Sequence, residues 1–157
     1  MEIYFLRHGD AGSAGGWKGS DVERPLSKEG TAGIEKEASA MARLGLTPDA
    51  ILTSPLVRAR QTAEIVAKKL RLTRSIVVEE RLAPGFATAE LRAILEERRS
   101  ARGLLLVGHE PDFSRVVSDA IGGGSVECKK GSLIRVDMDD SFNGVLVWLL
   151  PPSVLAS

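Results

Sequence analysis

The chain has 157 residues, 43% of them hydrophobic, with 21 basic and 21 acidic side chains, two histidines and one cysteine. At roughly 100–200 residues per domain this predicts one domain, spanning 1–157, and a net charge of zero gives no drive towards nucleic-acid backbones or anionic lipid. Cys128 alone excludes an internal disulfide and a multi-thiolate zinc site, and His8 and His109 alone exclude a three-histidine metal site.

The opening Met1–Arg7 carries an acid at position 2 and only a short apolar run, unlike a signal peptide. The longest later apolar runs, Leu104–Val107 and Val145–Leu150, fall far short of a membrane span. The expectation is a soluble, cytoplasmic protein that engages neither membrane nor nucleic acid.

In chain order, Ile3–Leu6 reads as a buried strand and Gly9–Gly19 as a glycine-rich loop. Ser27–Leu44 places Ile34, Ala38, Met41 and Leu44 on one helix face, with Gly45 and Pro48 as its stop. Ala50–Thr53 is a second strand. Ser54 then reads as an N-cap with Pro55 at the first helical position, opening a helix that buries Ala59, Ala63, Val66 and Leu70. Ile76–Glu79 is a third strand, and Thr88–Arg99 a helix with Leu91, Ile94 and Leu95 inward. Gly103–Gly108 has the uninterrupted apolar character of a central parallel strand. Asp112 is expected to cap a further helix that turns Phe113, Val116, Val117, Ala120 and Ile121 inward. Leu133–Met138 and Val145–Leu150 flank Asn143-Gly144, a hairpin turn signal. The predicted fold class is α/β: a three-layer sandwich with a mostly parallel central sheet flanked by helices and an antiparallel C-terminal hairpin.

Ligands of open α/β sheets sit outside the carboxyl ends of the strands. Those ends are Arg7-His8-Gly9-Asp10, Thr53-Ser54-Pro55 with Arg58 and Arg60 close behind, Glu79-Glu80-Arg81, and Gly108-His109-Glu110. Both histidines therefore fall at equivalent ends of different strands, with Arg7 and Arg58 beside them. A guanidinium is permanently charged and forks onto phosphate oxygens, so two of them select a dianion. A helix start near Pro55 would add free N–H groups. One imidazole can attack phosphorus while the other hydrogen-bonds an equatorial oxygen. The expected chemistry is phosphoryl transfer through a phosphohistidine, with no metal and no cofactor.

The same residues form a resemblance. Leu6-Arg7-His8-Gly9 is similar to the RHG signature of the histidine phosphatase (phosphoglycerate mutase-like) superfamily, Thr53–Thr62 resembles its S-P-x-x-R-A-x-Q-T block, and Val107-Gly108-His109 resembles its late strand ending in a second histidine. Arg7-His8-Gly9-Asp10-Ala11, Arg24-Pro25-Leu26-Ser27 and the short chain resemble most the small bacterial phosphohistidine phosphatases of the SixA type. The resemblance implies a phosphoglycerate mutase-like fold, His8 as nucleophile, and Arg7, Arg58 and His109 around the phosphate. Arg24 is either a further phosphate contact or a surface ion-pair partner.

Many relatives that cleave esters carry a glutamate acid in a motif resembling L-x-E, where this chain reads Leu82-Ala83-Pro84. General acid catalysis is worth about 10²–10⁴-fold to an alkoxide leaving group, and much less to an imidazole leaving from a weak P–N bond. Asp10 and Glu80 are candidate substitutes for the missing acid. The expected function is removal of phosphate from a histidine-phosphorylated protein domain. The alternatives are an ester phosphatase acting on a small phosphorylated metabolite, and a phosphate-binding module with little turnover. Gly12, Gly15, Gly16 and Gly19 are expected to form a rim to the pocket with Trp17 as a lid, and Cys128 to be inert.

Overall fold

Alternating apolar runs and amphipathic segments resolve into six strands and five helices in the structure, a computed structural model that describes residues 1–157. The strands are β1 (Glu2–Arg7), β2 (Ala50–Thr53), β3 (Ile76–Val78), β4 (Gly103–Gly108), β5 (Leu133–Met138) and β6 (Gly144–Leu150). The helices are α1 (Lys28–Arg43), α2 (Val57–Leu70), α3 (Thr88–Glu97), α4 (Asp112–Ala120) and the short α5 (Pro152–Leu155). One sheet holds all six strands in the order β3-β2-β4-β1-β5-β6. The first four run parallel, while β5 pairs antiparallel with β1 and β6 antiparallel with β5.

The period-2 alternation of strand side chains divides the core into two layers. Ile3, Phe5, Leu52, Leu104 and Leu106 pack with Leu91 and Ile94 of α3 and Phe113 and Val116 of α4. Tyr4, Leu6, Ile51, Leu105 and Val107 face the other way, onto Ile34 and Met41 of α1 and Ala59 and Val66 of α2. Helices on both faces explain why β4 is buried along its whole length and carries no polar side chain before His109. No helix is long and apolar enough to cross a membrane.

Several boundaries differ from expectation. The helix expected from Pro55 starts at Val57, with Leu56 in the capping position; the Ser54 hydroxyl accepts the Leu56 N–H at 3.2 Å and meets His109 instead of opening the helix. Asp112 lies within the first turn of α4, not before it, and its carboxylate accepts the Gly85 N–H at 2.9 Å. Leu44 sits past the last turn of α1 and is exposed, because the chain turns away at Gly45. The glycine-rich stretch contains a 3-10 turn at Ala14–Gly16, capped by Ser13, and a second such turn follows at Asp21–Glu23.

Candidate active site

His8 follows β1 directly, and three neighbouring segments hold its backbone. Its N–H donates to Gly108 O at the end of β4 (3.1 Å), and Gly131 N–H donates to both Arg7 O (3.1 Å) and His8 O (3.3 Å). The Gly9 N–H donates to Thr62 Oγ1 on α2 at 3.2 Å. The next turn is fixed by close approach: a side chain on Gly30 of α1 would collide with the backbone carbonyl of Asp10. Ser27, which caps α1 by accepting the Gly30 N–H, also donates to Asp10 Oδ2 at 2.7 Å.

Both imidazoles are almost fully buried, their ring centroids 5.1 Å apart. His8 Nδ1 lies 2.7 Å from Gly9 O, and since a carbonyl only accepts, Nδ1 carries the proton. That leaves a lone pair on Nε2, to which Arg58 Nε donates at 3.3 Å. Burial, with Arg58 and Arg7 nearby, pushes the His8 imidazole down to about 4. His109 is pushed down to about 3, by burial first and then by His8 and Arg58. Both rings are neutral at physiological pH. His109 Nε2 lies 2.7 Å from Ser54 Oγ.

Arg7 Nη1 donates to Cys128 O at 3.0 Å, and its Nε is buried with no partner in the protein. Arg58 is buried, with Nη1 donating to Asp21 O (2.8 Å) and Nη2 to Asp21 Oδ2 (3.1 Å). The four residues Arg7, His8, Arg58 and His109 thus meet where β1, β4 and α2 converge.

The remaining candidates are placed differently. Arg24 donates through Nε to Asp21 Oδ1 (2.9 Å) and through Nη1 to Ala11 O (2.8 Å) and Gly12 O (3.0 Å), so its guanidinium is engaged by the loop that follows His8. Asp10 receives Lys130 Nζ at 2.9 Å as well as Ser27, and these bonds, Lys130 first, hold its carboxyl down to about 2. Glu80 is exposed on the turn after β3 and makes no side-chain hydrogen bond. Trp17 donates to Ser20 O at 2.9 Å and lines a shallow groove with Arg24, Pro25 and Leu26. Cys128 is buried and its thiol pushed up to about 12, chiefly by that burial. No group of three or more His, Cys, Asp or Glu side chains is placed to hold a metal ion.

Two neighbours of the site lay outside the sequence motifs: Asp21 and Lys130 carry no signal beyond their charge. Ser54 lies within the S-P-x-x-R-A-x-Q-T block, but its local pattern read as a helix cap and not as a partner of His109. Glu37, equally unforeseen, is buried in α1 against Gly131, with Oε2 unpartnered, and burial pushes its carboxyl up to about 8.

Two buried imidazoles with two guanidiniums beside them lie at the carboxyl edge of a parallel sheet with helices on both faces. The chain belongs to the histidine phosphatase superfamily, whose branch 1 model matches residues 3–99. It is 37% identical over 139 residues, 85% of this chain and 83% of the other, to an uncharacterized protein of Picosynechococcus sp.. It is 30% identical over 157 residues, covering 97% of this chain and 94% of the other, to the phosphohistidine phosphatase SixA of Escherichia coli. The structure of a protein histidine phosphatase SixA complexed with tungstate superposes with a TM-score of 0.89 at 27% identity, over 98% of each chain.

Proposed function

We propose that the protein is a phosphohistidine phosphatase that removes the phosphoryl group from a histidine-phosphorylated protein domain without a metal or cofactor. The single observation that carries the reading is the state of His8: a neutral ring with its proton on Nδ1 and its Nε2 lone pair turned into a site with two guanidiniums.

His8 Nε2 attacks phosphorus in line, and the P–N bond to the substrate imidazole breaks. The bonding pair stays with the leaving nitrogen, and the substrate ring, already protonated on its other nitrogen, departs neutral. Arg7, Arg58 and His109 hold the three equatorial oxygens as charge spreads over them. Water then attacks phospho-His8, the P–Nε2 bond breaks, and inorganic phosphate leaves with His8 restored.

Two features support a phosphoramidate over an ester. Pro84 occupies the register where ester-cleaving relatives carry their acid. Asp10, ionised and bound to Lys130 and Ser27, has no proton to donate at neutral pH. An alkoxide would leave unprotonated, whereas an imidazole needs no such help.

The test is turnover of a phosphorylated histidine phosphotransfer domain beside a sugar phosphate at equal concentration, with acid-quench detection of phospho-His8. Preference for the phosphorylated domain is expected. Preference for the ester would replace this reading with a small-metabolite phosphatase, and one equivalent released without turnover would mark a binding module.

A further inference from the structure

Asp21 reaches the site from an exposed 3-10 turn 37 residues before Arg58, yet two of the three side-chain nitrogens of Arg58 end on it. A guanidinium has five N–H groups. Nε donates to His8, Nη1 to the Asp21 carbonyl and Nη2 to the Asp21 carboxylate, which leaves one N–H on each terminal nitrogen. Asp21 is itself fixed. Its other carboxylate oxygen receives Arg24 Nε, and Arg24 is anchored on the carbonyls of Ala11 and Gly12 in the loop that follows the nucleophile. The bonds from Arg24 and then the charge of Arg58 keep the carboxyl below its ordinary range, so it is a permanent anion at neutral pH. A continuous run of charge-assisted hydrogen bonds therefore leads from the backbone after His8, through Arg24, Asp21 and Arg58, back to His8 Nε2.

We propose that Asp21 is the positioning residue for Arg58: it grips both terminal nitrogens so that the Nε edge faces His8 and the two remaining N–H groups are presented to the phosphoryl oxygens. The inference rests on Arg7, His8, Arg58 and His109 being the phosphoryl pocket. It also has a definite sign. A carboxylate that merely competed with the incoming anion for Arg58 would, once removed, tighten anion binding, whereas a positioning carboxylate loosens it.

Tungstate affinity by calorimetry and kcat/KM for phosphoramidate, measured on Asp21→Ala and Asp21→Asn, separate the two. Misplacing a positioned group costs between about 10- and 100-fold, so Asp21→Ala should lose at least about ten-fold in both measurements. Asp21→Asn, whose amide oxygen still accepts from Nη2, should lie between it and the parent. Because the effect passes through Arg58, Asp21→Ala should add less than about two-fold in an Arg58→Ala background. Equal or tighter tungstate binding by both Asp21 variants overturns the proposal, as does an undiminished loss in the Arg58→Ala background, which would mark a general structural effect. Failure of the unaltered protein to bind tungstate would remove the pocket assignment and this inference with it, an outcome distinct from one confined to the Asp21 variants.

Discussion

Ser54 Oγ stands 2.7 Å from His109 Nε2 while accepting the Leu56 N–H at 3.2 Å, so a single hydroxyl turns the chain towards α2 and aims the second imidazole. Removing it frees the ring to rotate and strands a buried N–H. Ser54→Ala should lower kcat for phosphoramidate by about ten-fold, with the folded state losing about 1–2 kcal/mol from the unmade hydrogen bonds. Steady-state kinetics with thermal melts would check both; an unchanged kcat would show that His109 is held by packing alone.

The proposed nucleophile has its own signature. His8→Ala should abolish both turnover and the acid-labile phosphoenzyme seen after rapid quench, since His109, the other neutral imidazole of the site, is held by its Nε2 against Ser54 Oγ.

The pH profile follows from the burial of His8. Its folded value of about 4 lies below the ordinary 6.5, so the reactive neutral form persists until pH falls to about 4. The expected kcat/KM profile is level from pH 8 to about 5 and falls tenfold per unit only below about 4. With a substrate that does not itself titrate in this range, an acid limb near 6.5 would mean that the ring is far better solvated than its burial implies.

Glu37 governs stability rather than rate. Its folded value of about 8 exceeds the ordinary 4.5, and burial is the cause. Below about 4.5 both states hold the proton, so there is no penalty. Between 4.5 and 8 only the unfolded chain ionises, and stability drains away as pH rises; above 8 the loss is constant. Glu37→Gln should therefore stabilise the protein by on the order of 4 kcal/mol at pH 8 and by almost nothing at pH 4, read from denaturant midpoints at the two pH values. A gain equal at both would place its origin in packing rather than ionisation.

Gly108, the last residue of β4, is a packing requirement. A Cβ there would sit 2.6 Å from the ring of Phe113, itself edge-on to Phe5 with centroids 5.3 Å apart in the core. Gly108→Ala should cost about 1–3 kcal/mol through overpacking and, by shifting His109, reduce turnover as well. Urea unfolding of the variant would show it as a lower midpoint.

The strands were the most legible part of the chain. Ala50–Thr53 and Gly103–Gly108 match their expected limits because each is a short apolar run bounded by turn residues and buried on both faces. Leu133–Met138 matches through its period-2 pattern, with Arg135 and Asp137 alternating with buried apolar residues. The start of α2 was misread because Ser54-Pro55 satisfies the local rule for a helix start, while the Ser54 hydroxyl is claimed by a residue 55 positions away. The convergence of Arg7, His8, Arg58 and His109 was legible because the carboxyl ends of parallel strands are a topological fact that a pattern reveals. Asp21 and Glu37 were not. An aspartate in an exposed turn and a glutamate beside Lys36 read as solvated groups, and only the folded chain brings one to Arg58 and closes the other against Gly131.

The hydrogen bond from Arg58 Nε to His8 Nε2 puts the cation on the very lone pair that the proposed reaction uses. An incoming electrophile has to take the Nε2 lone pair from that N–H, while Asp21 keeps the two terminal nitrogens of Arg58 in place. A phosphoryl dianion brings its own attraction to the guanidinium and exchanges one strong partner for another, whereas a neutral acylating or alkylating reagent offers Arg58 nothing in return. With His8 as the proposed nucleophile, the resting site would filter by charge before it filters by shape, guarded against uncharged reagents and yielding to an anion.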